Sequence, residues 1–179
     1  MAIATPAPTE ISTVSLTIDG RELTVPEGTT IWQAAKDAGI EIPVLCHDER
    51  YDAVGVCRMC VVDVGARVYA AACIRPCEDG MEVKTETPEL ERNRAQLTEL
   101  LLVDQPPVEE DPKETTTADN ELLVLVRQYG LQRDDSELAC GTGRGEDHSN
   151  PVISVNHDAC ILCDRCVRAC DESDRKSVV

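Results

Sequence analysis

The stretch Cys46-His47-Asp48-Glu49-Arg50-Tyr51-Asp52-Ala53-Val54-Gly55-Val56-Cys57-Arg58-Met59-Cys60 decides how the rest of this chain is read. Ten residues separate Cys46 from Cys57, two separate Cys57 from Cys60, and twelve more lead to Cys73. A set of thiolates with one close pair suits a [2Fe-2S] centre, in which each iron takes two sulfurs and a single Cys-x2-Cys turn presents two of them. Gly55 and the bare backbone beside it let amide N–H groups approach such a cluster, where they stabilise an added electron. Zinc also accepts thiolates, but zinc ribbons usually present two close pairs, and Cys46, Cys57, Cys60 and Cys73 contain only the pair Cys57 and Cys60.

On the amino-terminal side, Val14, Leu16 and Ile18 alternate with Ser15 and Thr17, Asp19-Gly20 supplies a tight turn, and Leu23 and Val25 continue the alternation. This predicts a β-hairpin. Pro26, Glu27 and Gly28 break the strand, Thr29 or Thr30 can cap, and Ile31, Ala34, Ala35 and Ala38 recur at helical spacing until Gly39. Residues 1–12, interrupted by Pro6 and Pro8, read as a disordered lead-in. On the carboxyl-terminal side, Val61–Val64 and Arg67–Ala72 read as strands turning at Gly65, and Met81–Lys84 as another short strand. Pro88 opens a helix with Leu90, Leu97, Leu100 and Leu101 on its apolar side, which ends before Pro106-Pro107.

Residues 108–120 are acidic and rich in Thr and Pro, as a solvated linker is, and Leu122–Tyr129 reads as a helix closed by Gly130. Residues 141–150 read as a mobile stretch, followed by a short strand from Val152 to Val155. Divided by these signals, the chain has a lead-in at 1–12, a domain at 13–104, an acidic linker with a helix at 105–150, and a last motif at 151–179.

That last motif is a second cysteine run. Cys160, Cys163, Cys166 and Cys170 follow the Cys-x2-Cys-x2-Cys-x3-Cys pattern of bacterial-type [4Fe-4S] ferredoxins, with Asp171 where Pro is usual. In two-cluster proteins the fourth cysteine of such a run ligates the other cluster, so Cys170 serves either this cube or a second one. A second run is expected downstream, which makes the motif incomplete and the sequence look truncated. Cys77, four residues after Cys73, competes with it as the fourth ligand. Cys140 and His148 stand isolated and read as non-ligands.

The composition narrows the function classes. A net charge of −17 argues against nucleic acid, which is bound by Lys and Arg, and leaves basic protein partners open. No run approaches the roughly 20 apolar residues of a transmembrane helix, and Met1–Glu10 does not resemble a secretory signal, so the expected location is the cytoplasm. Thiols are kept reduced there, and the ten cysteines read as metal ligands rather than disulfides. With Phe absent and aromatics at 2%, the core must be built from Val, Ile, Leu and Ala, and a bound cluster would help to stabilise it. No Gly-rich phosphate loop, Ser/His/Asp order or His-Glu-x-x-His pattern occurs, so no catalytic centre is expected in this chain.

The segment from Cys46 to Cys60, with Ala72-Cys73 and Asp79-Gly80-Met81, resembles the amino-terminal ferredoxin domain of one oxidoreductase group. That group comprises the large iron–sulfur subunit of respiratory complex I, the diaphorase subunits of NAD-linked hydrogenases and the alpha subunits of NAD-dependent formate dehydrogenases. The resemblance covers about residues 14–104, and it matches Cys73 as the fourth ligand, which leaves Cys77 as a spare thiol. It implies an α+β chain: a β-grasp [2Fe-2S] ferredoxin domain, a short helical linker region and the start of a bacterial-ferredoxin-type [4Fe-4S] module. His157 to Glu172 resembles the opening of the two-cluster module that precedes a molybdopterin domain in formate dehydrogenases.

Many members of the group also carry a His-x3-Cys-x2-Cys-x5-Cys site between the two modules, where Leu101-Leu102-Val103-Asp104-Gln105-Pro106-Pro107 stands here. Its absence points away from a complex I subunit and toward a formate dehydrogenase-like or divergent member. The implied function is one-electron relay inside a larger oxidoreductase, with a flavin- or NAD-binding subunit and a molybdopterin domain as partners. Attachment to the inner membrane would be peripheral, through a complex. A [2Fe-2S] cluster and one [4Fe-4S] cluster, the latter incomplete without downstream ligands, are the implied cofactors. The rival reading is a zinc-binding structural module without redox function.

Overall fold

Strand β1 (Thr13–Ile18) and strand β2 (Arg21–Pro26) pair antiparallel, with Leu16 opposite Leu23 and Val14 opposite Val25. The turn between them holds Asp19 and Gly20 at φ 48° and 78°. Positive φ at both central residues is the type I′ geometry whose twist matches the strands, and Asp-Gly adopts it at low cost. The hairpin expected from the sequence is therefore present. It belongs to a computed structural model that describes residues 12–103, 105, 120–132 and 143–173. The chain divides into two units, one made of Met1–Ile42 and Cys60–Glu86, the other of Pro43–Met59 and Thr87–Val179.

In the first unit, helix α1 (Ile31–Asp37) follows the hairpin. The Gln33 N–H donates to Thr30 Oγ1 at 3.2 Å, so Thr30 is the cap, and Ile31, Ala34 and Ala35 are buried. The Trp32 indole donates to the Ile42 carbonyl at 3.1 Å, which fastens the chain after the helix. Strands β3 (Val61–Val62) and β4 (Ala70–Ala71) form a short antiparallel pair, and β5 (Glu82–Val83) lies parallel to β1, giving a mixed sheet in the order β2-β1-β5. Leu16, Ile18, Ile31, Val62 and Val83 are buried, and each such side chain removed from water contributes about 1.5–3 kcal/mol.

β3 and β4 are shorter than the expected Val61–Val64 and Arg67–Ala72. Asp63 leaves the β3–β4 pair to exchange two backbone hydrogen bonds with Lys84, at 3.0 and 2.8 Å. Its carboxylate also accepts the Gly65 N–H at 2.8 Å, so the turn begins early. Between the sheet and the hairpin turn, Asp19 accepts from the Thr85 N–H at 2.8 Å and from the Thr85 hydroxyl at 2.5 Å.

In the second unit, helix α2 (Pro88–Val103) buries Leu90, Arg94, Thr98 and Leu102. The expected apolar stripe is therefore rotated: Leu100 is 67% exposed, while Leu97 and Leu101 only flank the core. Two polar residues occupy the buried line, each with a partner inside the helix. Arg94 pairs with Glu91 at 2.6 Å, and the Thr98 hydroxyl donates to the Arg94 carbonyl at 2.8 Å. Helix α3 (Glu121–Gln128) is capped by Asn120, whose side chain accepts the Leu123 N–H at 3.1 Å. It contributes Leu122 and Leu125 to a core shared with Leu45 and Met59.

Strands β6 (Glu146–Asp147) and β7 (Val155–Asn156) pair antiparallel. β6 lies within the stretch 141–150, and the strand expected at Val152–Val155 is found instead at Val155–Asn156. The Asn150 side chain accepts the N–H groups of Val152 and Ile153, at 2.8 and 3.1 Å, which turns those residues out to 89% and 57% exposure. His148 is in the same turn, between the Ser154 hydroxyl and the Glu146 carboxylate. Helix α4 (Arg165–Arg168) and a π-helical turn (Ala169–Ser173) close the described chain. Among the described residues no helix is long and apolar enough to cross a membrane. The expectations for residues 1–11, for most of the linker and for Cys140 lie outside the described residues.

Candidate iron–sulfur site

The chain from Leu45 to Met59 is anchored by its two ends. Leu45 and Met59 are 1% and 0% exposed, and both pack against α3. Between them the backbone bends sharply, with Gly55 at φ 62° and Arg58 at φ 58°. An L-residue in the left-handed region costs about 1–2 kcal/mol, and such strain collects at functional sites. Of the described non-glycine residues with positive φ, Arg58, Leu162 and Asp164 lie in Cys-x2-Cys turns, and Asp19 does not.

That bend places the Cys46 N–H 3.4 Å from Cys57 Sγ. The hydrogen bond shared with the Cys46 thiol, and then burial, push the Cys57 thiol well above its ordinary value. The backbone N–H groups of Met59, Cys46 and Leu45 pull the other way, favouring its thiolate. An iron-bound cysteine carries its sulfur as thiolate, so amide donors gathered on one sulfur fit that group, and the proton shared by Cys46 and Cys57 is what a metal would displace.

Cys60 and Cys73 belong to the first unit, where both are buried. The Ala72 N–H donates to the Cys60 carbonyl at 3.0 Å, so the β3–β4 pairing sets the chain before Cys73 beside Cys60. Cys77 is also buried there. Its N–H donates to the Thr29 carbonyl at 2.8 Å, and burial pushes its thiol up. Such a neutral, unreactive sulfhydryl suits a core residue.

In the second unit, Cys160 Sγ accepts the Leu162 N–H at 3.4 Å. The Cys160–Cys163 turn thus directs the amide two residues on at its first sulfur, and in the Cys57–Cys60 turn the Met59 amide likewise favours the Cys57 thiolate. Cys160 and Cys163 are half-buried, and Cys166 and Cys170 are exposed. The Nε–H groups of Arg165 and Arg168 are buried with no acceptor among the described residues. A buried donor left unpaired costs about 1–3 kcal/mol, and cluster sulfurs are acceptors of the kind the polypeptide does not supply there. These residues therefore fit a cluster site. Among the described residues no group of three or more His, Cys, Asp or Glu side chains stands ready to hold a single metal ion, and no described cysteine forms a disulfide.

The reading of the sequence missed the arginines of this segment. Arg165 donates to the His47 carbonyl at 2.7 Å and to Glu121 at 2.6 Å, and Arg168 donates to the carbonyls of Asp52, at 2.6 Å, and of Cys46. The available signal was arginines set between cysteines in a chain of net charge −17. Beside them, Arg50 holds the Asp48 carboxyl well below the usual carboxylate range, and burial lowers the His47 imidazole.

Residues 12–88 match the family described as the 2Fe-2S iron–sulfur cluster binding domain. This part of the chain belongs to that family. The 2Fe-2S domain takes in Cys46, Cys57, Cys60 and Cys73, while the second cysteine run lies beyond it. Over 161 residues the chain is 35% identical to a subunit of an NADH-quinone oxidoreductase from Rhizobium meliloti (strain 1021), covering 89% of this chain and 19% of that protein. Over 160 residues it is 36% identical to the alpha subunit of the NADPH-Fe(3+) oxidoreductase of Geobacter sulfurreducens (strain DL-1 / KN400), covering 87% and 18%. The chain spans about a fifth of the length of these curated relatives. Among solved structures, a chain of an NAD+-reducing [NiFe]-hydrogenase in the H2-reduced state superposes with a TM-score of 0.80 at 29% identity, over 94% of this chain and 70% of that one. Both the 2Fe-2S domain and the resemblance read from its residues are thus shown, and the relatives are subunits of multi-subunit oxidoreductases.

Proposed function

We propose that this chain is an electron-transfer segment of a larger oxidoreductase. Cys46, Cys57, Cys60 and Cys73 hold its [2Fe-2S] centre, and Cys160, Cys163 and Cys166 hold a [4Fe-4S] centre. Cys170 goes to that cube or to a second one. The observation that carries the reading is the Cys46 amide donated to Cys57 Sγ at 3.4 Å, inside the 2Fe-2S domain. When bound, the cluster supplies one-electron storage. The chain's own residues hold the thiolates, and their N–H groups offset the added charge.

The domain at 13–104 is then a β-grasp ferredoxin, and residues 151–179 are the start of a bacterial-type module. The assembly includes a flavin- or NAD-binding subunit, it is cytoplasmic and peripheral to the inner membrane, and the parent reaction oxidises NADH, hydrogen or formate. The names of the relatives favour nicotinamide-linked chemistry, and a molybdopterin domain remains the partner that a formate dehydrogenase-like parent would require.

The test is iron and sulfide content with low-temperature EPR, on the 179-residue chain purified without oxygen and reduced with dithionite. A rhombic [2Fe-2S] signal that disappears in Cys57→Ser is expected, and a fast-relaxing signal lost in Cys163→Ser marks the cube. Zinc without iron, in a colourless protein, overturns the reading in favour of a structural module.

A further inference from the structure

Arg168 is 6% exposed, in a segment whose cysteines are half-buried or exposed. Its Nη1 donates to the Asp52 carbonyl at 2.6 Å, its Nη2 donates to the Cys46 carbonyl, and its guanidinium stands 6.0 Å from the centre of the Tyr51 ring. On either side of it, Arg165 donates to the His47 carbonyl at 2.7 Å, and Glu172 accepts the Asp52 N–H at 2.8 Å. Three side chains from one short segment therefore grip the backbone of residues 46–52. Because every hydrogen bond there goes to a main-chain atom, the grip acts on the path of the loop itself, with the Tyr51 ring as its one side-chain partner among these contacts.

The charges of the three differ. Arg165 is neutralised by Glu121 at 2.6 Å, whereas Arg168 has no carboxylate within ion-pair distance among the described residues. Its positive charge sits against the carbonyl of Cys46, screened little by water because it is buried. A cluster that accepts an electron becomes more negative, so a fixed cation beside one of its ligands favours the reduced form.

We propose that Arg168 is a positioning residue through which the Cys160–Cys170 segment holds the ligand loop of the [2Fe-2S] centre and raises the reduction potential of that centre. The proposal rests on the reading above that Cys46 is a [2Fe-2S] ligand. It makes the second cysteine segment a structural and electrostatic part of the first site, beyond any cluster of its own.

The experiment is an EPR-monitored redox titration of the [2Fe-2S] signal in the full chain, with a parallel measurement of how fast a chelator removes the cluster. Wild type is compared with Arg168→Gln, Arg168→Met, Arg168→Lys and Arg165→Met. Arg168→Gln removes the charge and keeps an N–H donor, so it decides the matter even where Arg168→Met assembles no cluster. The expected result is a midpoint shifted to more negative potential in Arg168→Gln and Arg168→Met, restored toward wild type in Arg168→Lys. Arg165→Met is expected to speed cluster loss several-fold with little shift in potential. A wild-type midpoint in Arg168→Gln overturns the proposal, since loss of a merely structural contact would change retention and not potential. If wild type gives no [2Fe-2S] signal, the cluster reading itself fails, which is a different result from an intact signal that ignores Arg168.

Discussion

Met59→Ala removes a side chain that is 0% exposed and lies directly in the Cys57–Cys60 turn. Met59 packs with Leu45, Leu122 and Leu125, and its sulfur is 4.0 Å from the Thr98 hydroxyl. The three heavy atoms lost beyond Cβ are each worth about 0.8 kcal/mol of transfer free energy, or about 2.4 kcal/mol together. The core around them collapses only in part, and the residual cavity adds a further amount, for an expected loss of about 3–4 kcal/mol. Urea unfolding of the cluster-free chain under reducing conditions, followed by far-ultraviolet circular dichroism, measures it. The midpoint should fall with little change in slope, and thermal unfolding should drop by about 10 °C. Met59→Leu, which nearly conserves volume, should lose less than about 1.5 kcal/mol. Combined with Leu122→Ala, Met59→Ala should be non-additive, because the two side chains line the same space. A loss below about 1 kcal/mol, or strict additivity with Leu122→Ala, would refute the packing of the turn on α3.

Asp19→Ala removes both hydrogen bonds to Thr85 and puts a less tolerant residue at φ 48°, so a loss of about 2–4 kcal/mol is expected. Asp19→Asn keeps an acceptor and the turn preference, and should lose about half as much in the same urea assay. Equal losses for the two variants would show that the carboxylate charge carries the whole effect. Burial, aided by Glu91 and opposed by Arg94, pushes the Tyr129 phenol up to about 12. The unfolded phenol ionises near about 10. The fold therefore favours the protonated phenol, and this contribution to stability is complete below about pH 10 and lost as pH rises toward about 12. An ultraviolet absorbance titration should show a phenol ionising at about 12, and Tyr129→Phe should abolish that step. If the step survives the substitution, Tyr129 is not its source.

Much of the fold was legible because local physics was enough. The β1–β2 hairpin follows from a period-two pattern broken by Asp-Gly, and α1 from a Thr cap, small apolar residues at helical spacing and a terminal Gly. Where a hydrogen-bond partner outside the apolar pattern decides, the pattern misled. Asp63 ends β3 early because Lys84 competes for its backbone, and Asn150 turns out the residues that looked like a strand. The buried line of α2 runs through Arg94 and Thr98, which hydropathy places on the solvent side, where Glu91 pairs with Arg94 Nη1 and the helix backbone accepts from the Thr98 hydroxyl.

The same division holds at the site. Spacing singles out Cys46, Cys57, Cys60, Cys73 and the run from Cys160 to Cys170 as candidate ligands, with the family resemblance choosing Cys73 over Cys77, because sulfur ligands sharing a cluster must leave short turns at fixed intervals. The hydrogen-bond donors around Cys57 were anticipated only as a general opportunity at Gly55. Which amides supply them depends on the bend that Gly55 and Arg58 impose. The grip of Arg165 and Arg168 on residues 46–52 joins positions more than a hundred residues apart, and no local preference encodes it. Ligand identity is a matter of residue type and interval, which a sequence carries. The charge and hydrogen bonds that surround a ligand come from whatever the folded chain brings beside it, and only the tertiary structure decides that.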